Sequence, residues 1–138
     1  FKGNLATVNM GGDTAVLEGA WPLVGKGDQK KAWRPGGYQP LAVHPGTNRL
    51  YVAMHSGGVE GSHKNPANEI WVFDTQSKKR VARLPGNSAT ALEPSSDGKR
   101  LFAIDPMKAS VVGWDKISPK AKVRLTQVGE FPGQLEAE

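Results

Sequence analysis

Apolar and polar positions alternate along this chain in short runs separated by polar, Gly- or Pro-bearing breaks. Ile70, Trp71, Val72 and Phe73 are β-branched or aromatic, the residue types that suit a pleated, buried surface. Asp74, Thr75, Gln76 and Ser77 then supply turn chemistry, because Asp and Ser side chains bond the backbone beside them. Lys78, Lys79 and Arg80 keep the turn wet, and Val81, Ala82, Arg83 and Leu84 alternate as a half-buried strand does. Residues 69–84 therefore predict two strands joined by a polar turn. The pattern recurs over residues 110–125: Val111 falls on Ile70, Trp114 on Phe73, Asp115 on Asp74 and Leu125 on Leu84, each 41 residues on.

A second pair of strands precedes each of these. Residues 39–44 and 49–54 flank Pro45-Gly46-Thr47-Asn48, and residues 88–93 and 99–104 flank Pro94-Ser95-Ser96-Asp97-Gly98. Pro45 matches Pro94 at an offset of 49 and Leu50 matches Leu101 at 51, the second turn being longer. The chain thus holds two units of four short antiparallel strands. Residues 4–10 and 14–17, around Gly11-Gly12-Asp13, read as a hairpin, the third and fourth strands of a further unit. Residues 25–34 form a polar, lysine-rich loop flanked by Trp21 and Trp33, whose rings are expected to pin it to a sheet. Arg34-Pro35-Gly36-Gly37-Tyr38 predicts a tight irregular segment.

A four-stranded repeat of ~40–50 residues is the mark of a β-propeller blade, and propellers have ~4–8 blades. This chain covers about two and a half to three: residues 1–32 end one blade and add a loop, 33–86 and 87–127 are blades, and 128–138 start another strand or form a tail. A closed ring then requires more chain. The units differ at one place. Between the second and third strands the later unit has Asp105 to Ala109, whereas the earlier one has the long loop 55–68. A loop confined to one repeat is not needed for stacking, and such loops often bind.

Composition changes this picture little. The 138 residues suit one domain, and Gly 17 with Pro 10 suits many turns. No apolar run is long enough to span a membrane. Phe1-Lys2-Gly3-Asn4 has no apolar signal core, but a cleaved signal leaves no trace, so export stays open. The absence of cysteine excludes disulfides and thiolate chemistry within this stretch. The net charge of +5 comes largely from Lys and Arg at hairpin turns, without the interleaved aromatics of a nucleic-acid platform.

Candidate chemistry is sparse. His55, Glu60 and His63 share the long loop, but their spacing matches no structural zinc pattern. Glu60 and His63 read as loop hydrogen-bonding groups facing another protein. His44, before a proline, reads as structural. Asp74 and Asp115 at equivalent positions read as one turn-capping task done twice. No catalytic residue, metal ligand or cofactor-binding residue is expected in this chain.

Three segments, WRPGGYQ at 33–39, EGSHKNPANEIWVFD at 60–74 and TQSKKRVARLPG at 75–86, resemble the heavy subunit of quinoprotein amine dehydrogenases. The long loop and the strands after it are similar to the aromatic amine dehydrogenase branch, and Trp-Arg-Pro-Gly-Gly also to the methylamine dehydrogenase branch. The Asp-Thr turn and Val-Arg-Leu strand are shared more loosely with YVTN-type repeats. The resemblance implies an all-β, seven-bladed β-propeller in the periplasm, of which this is a C-terminal part. It implies a heterotetramer of two heavy and two light subunits, with tryptophan tryptophylquinone in the light subunit. That enzyme oxidatively deaminates primary amines to aldehyde and ammonia and passes electrons to a blue copper protein of the azurin or amicyanin type. The heavy subunit is non-catalytic. Trp33, Arg34, Pro35, Gly36, Gly37, Tyr38, Glu60, His63 and Lys64 are the expected contacts to the light subunit. The alternative is a stand-alone propeller repeat module that binds a ligand or protein. Nucleic-acid binding and membrane insertion are not expected.

Overall fold

A computed structural model of the chain describes residues 4–38, 40–57, 65–86, 88–115, 117 and 123–127. About half of the described residues are in strands, with almost no helix. β1 (Asn4–Asn9) and β2 (Val16–Pro22) make a two-stranded antiparallel sheet. A one-turn helix, α1 (Lys26–Gln29), follows in the lysine-rich segment expected to be a plain loop; its backbone turn closes on the Gly25 carbonyl. The middle sheet holds β3 (Arg34–Pro35), β4 (Leu41–His44), β5 (Arg49–His55), β6 (Glu69–Asp74) and β7 (Arg80–Pro85). Both β3 and β4 pair with β5, one at each end of it. The last sheet is a four-stranded meander of β8 (Ala91–Pro94), β9 (Leu101–Asp105), β10 (Ser110–Trp114) and β11 (Val123–Gln127).

The period-two pattern explains why the middle sheet is buried on both faces. Along β5 and β6, Tyr51, Ala53, Ile70 and Val72 turn one way and pack with Leu92, Leu101, Ala103, Val112 and Trp114 of the last sheet. Leu50, Val52, Met54, Trp71 and Phe73 turn the other way and pack with Trp21, Leu23, Val24 and Trp33. Each fully buried aliphatic side chain in these layers contributes roughly 1.5–3 kcal/mol. The two interfaces are built alike. Phe73 meets Trp21 edge to face at 5.6 Å, and its repeat partner Trp114 donates its indole N–H to the Pro85 carbonyl at 3.2 Å. Successive sheets therefore lean on one another in chain order, consistent with a propeller-type domain.

The register carries the repeat. Leu50 pairs with Phe73 as Leu101 pairs with Trp114, so the Leu50–Leu101 match is structural. The Pro45–Pro94 match is not. Pro94 is the last residue of β8 and pairs with Leu101, whereas Pro45 opens a 3-10 turn beyond β4. That turn, with the His44 side chain accepting from the Thr47 amide and Asn48 in the left-handed region, recurs at Asp105–Ala109. A prolyl ring suits the first turn of a helix, and this geometry rather than repeat position places Pro45 and Pro106. β2 also runs later than residues 14–17, because Trp21 pairs with Leu5 and is buried. Asp74 caps its turn as expected: its Oδ1 accepts from the Gln76 and Ser77 amides at 3.1 and 2.7 Å.

Candidate functional site

The Trp33–Tyr38 segment is positioned from two sides. Pairing of Arg34 with His55 and Pro35 with Met54 adds β3 to one end of β5. The chain then continues beside the long loop. The Gly36 amide donates to the Ala53 carbonyl at 2.9 Å and the Gly37 amide to Asn65 at 2.7 Å. Gly36 is required by close approach: a Cβ there would lie 2.8 Å from the Ala67 backbone nitrogen. The near end of the loop is tied as well. Gly57 donates to the Lys31 carbonyl at 3.0 Å, and Asn68 Nδ2 donates to Ser56 Oγ at 3.2 Å.

The segment's side chains divide into anchors and a presented tip. Trp33 is 7% exposed, its ring 5.0 Å from that of Trp71. Arg34 is 9% exposed and donates to the Ala32 and Gly57 carbonyls at 3.1 and 2.6 Å. Both serve the chain's interior, and Trp21 and Trp33 together pin the helix-bearing loop to the middle sheet. Tyr38, by contrast, is 67% exposed. Glu60, His63 and Lys64 lie outside the described residues. His55 sits at the β5 end with its Nδ1 buried and unpartnered. Burial and the neighbouring Arg34 charge push its imidazole below the usual histidine range, against an opposing hydrogen bond to Pro66.

Sequence reasoning did not single out the group that stiffens this region. Arg83 grips Glu69 through two bonds and lies over the Trp33 ring at 4.8 Å. Arg80 lies over Trp71 at 4.1 Å and pairs with Asp28 of α1 at 2.8 Å. The available signal was two arginines on β7 opposite two aromatics of β6. Cations over aromatic faces contribute ~0.5–2 kcal/mol each. The result is a polar-edged segment tied to the middle sheet, with Tyr38 exposed at its tip. Among the described residues no three potential metal ligands gather.

The family model described as methylamine dehydrogenase heavy chain matches residues 1–136. The chain belongs to the methylamine dehydrogenase heavy chain family. Curated relatives agree. It is 30% identical over 112 residues to the methylamine dehydrogenase heavy chain of Methylophilus methylotrophus, covering 78% of this chain and 27% of that one. It is 23% identical over 112 residues to the heavy chain of Methylobacillus flagellatus, covering 80% of this chain and 28% of that one. It is 22% identical over 134 residues to the heavy chain of Methylorubrum extorquens, covering 96% of this chain and 32% of that one. The chain therefore spans about a third or less of the heavy chains it matches. The matched region takes in the whole Trp33–Tyr38 segment.

Proposed function

We propose that this chain is part of the non-catalytic heavy subunit of a periplasmic amine dehydrogenase. The observation that carries the reading is the family match over residues 1–136. The heavy subunit is a seven-bladed β-propeller that scaffolds a light subunit carrying tryptophan tryptophylquinone, as a tetramer of two heavy and two light chains. The assembly deaminates primary amines to aldehyde and ammonia and hands electrons to a blue copper protein. In this reading residues 33–86 and 87–127 are blades. The β1–β2 hairpin is the outer half of another, and residues 128–138 begin a further strand or a tail.

One feature of the middle sheet supports the propeller reading. Leu41 and Val43 pair with Val52 and Leu50 and share their face, yet they are 50% and 51% exposed. The hairpin covers the β5–β6 part of that face, through Leu5 and Trp21. Two more strands added to the β1 edge would cover Leu41 and Val43, as β8 and β9 complete the next sheet.

Pro35, Gly36, Gly37 and Tyr38, with Glu60, His63 and Lys64, form the light-subunit contact, backed by Trp33 and Arg34. Buried aromatic groups dominate such interfaces, while rim charges contribute little. The test is Tyr38→Ala in the full-length subunit, with affinity for the light subunit read by sedimentation. Loss of at least about thirtyfold in affinity is expected for a central aromatic anchor, ~2 kcal/mol or more. Unchanged assembly would remove the segment from the interface.

A further inference from the structure

The middle and last sheets do not close fully at the Arg49 end of β5. A groove of about 380 Å3 remains, lined by Thr47, Arg49, Tyr51, Val81, Ala82 and Ile117 among others. That is at the small end of ligand pockets, which run ~300–1,000 Å3. It lies at the opposite end of β5 from the Arg34–His55 pairing, and it does not depend on the subunit assignment.

Two hydrogen-bonding groups there are under-used. Tyr51 is fully buried, and its hydroxyl, beside the Thr47 side chain, makes no well-aligned hydrogen bond. Leaving such a group unpaired costs ~1–3 kcal/mol, which an incoming acceptor recovers. Burial raises the Tyr51 phenol above its ordinary range, against the Arg49 charge and the Thr47 side chain, so it stays a donor at neutral pH. Arg49 uses only Nη1, toward Asp74 Oδ2 at 2.7 Å and the Asn48 carbonyl at 3.4 Å. Its Nε and Nη2 donate to nothing among the described residues. The remaining wall is apolar: Val81, Ala82 and Ile117.

We propose that this groove binds a small organic carboxylate, its acid group between the Tyr51 hydroxyl and the Arg49 guanidinium and its apolar body along Val81, Ala82 and Ile117. A guanidinium edge matches the planar, two-oxygen geometry of a carboxylate. Among the described residues lining the groove Arg49 is the one cation, and Asp74 already offsets part of its charge, so with these residues a singly charged acid fits better than a phosphate dianion.

Benzoate titrated into the full-length protein, with binding read by calorimetry, tests this. Saturable binding is expected. Tyr51→Phe should weaken it about tenfold, the loss of one hydrogen bond of ~1.4 kcal/mol. Val81→Trp, at a half-exposed position at the groove, should abolish it while the melting temperature holds, and it carries the test even if the Tyr51 variant folds poorly. Three results would overturn the proposal: no saturable benzoate binding (a single water then satisfies Tyr51), equal binding in wild type and both variants, or tighter binding of inorganic phosphate.

Discussion

Glu69 and Arg83 sit diagonally across β6 and β7 and close a two-pronged ion pair, Nε to Oε2 at 2.6 Å and Nη2 to Oε1 at 2.7 Å. The same carboxylate accepts the Trp71 indole N–H at 2.9 Å, and the same guanidinium covers the Trp33 ring. One ion pair thus orders two tryptophans and the segment that follows the second. The pair is partly exposed, with side-chain exposures of 38% and 25%, so its Coulomb energy is screened and its larger effect is positional.

The two parts of this unit should separate by mutation. Arg83→Met keeps an apolar stem over Trp33 and loses the charge; it should cost about 1 kcal/mol. Trp33→Ala opens a cavity against Trp71 and should cost about 3–5 kcal/mol. Urea unfolding of the full-length protein gives both values.

The sheet-to-sheet contact has its own tie. His44 Nδ1 accepts from the Thr47 amide at 3.1 Å, and its Nε2–H donates to the Ser96 carbonyl of the next sheet's turn at 2.8 Å. Gly98 closes over them with φ +67, where a Cβ would lie 2.6 Å from Thr47 Cγ2 and 3.0 Å from the His44 ring. Gly98→Ala combines left-handed strain with a clash and should destabilise by about 1–3 kcal/mol. Amide exchange should quicken at Ser95 and Arg100, which bond each other across this turn.

Ala109 offers the opposite case. It ends the Asp105–Lys108 turn at φ +46, a conformation that costs a Cβ-bearing residue energy. Ala109→Gly should raise stability by about 0.5–1 kcal/mol, read as a higher melting temperature.

Much of this architecture was legible because strand period and burial coincide. The Ile70–Phe73 run alternates between two cores, so its apolar continuity announced a sheet covered on both faces. The two indoles at Trp21 and Trp33 were readable as anchors for the same reason: a large ring beside a polar loop has only the sheet to bury against. Turn equivalences were harder. His44-Pro45 and Asp105-Pro106 make the same turn at different places in their repeats, since side-chain capping rather than repeat position fixes it. The arginine–tryptophan stack was hidden because Arg83 and Trp33 are far apart in sequence and meet only through the fold. The tip of the long loop, with Glu60, His63 and Lys64, falls outside the described residues.

His55 gives stability a pH dependence with a definite sign. Its folded pKa lies below the ordinary value of about 6.5, chiefly through burial and then Arg34. As pH falls below about 6.5 the unfolded chain takes up the proton first, so stability is full above that value and declines below it. The decline ends once the folded imidazole also protonates. Unfolding curves between about pH 5 and 7.5 should show this slope in the wild type and a shallower one in His55→Gln.

The subunit assignment is tested most directly by isolating the full-length protein from its source and recording its partner and its spectrum. The account predicts a small second subunit in equal amount, with a visible absorbance that bleaches when a primary amine is added. A single colourless polypeptide, unresponsive to amines, would contradict it.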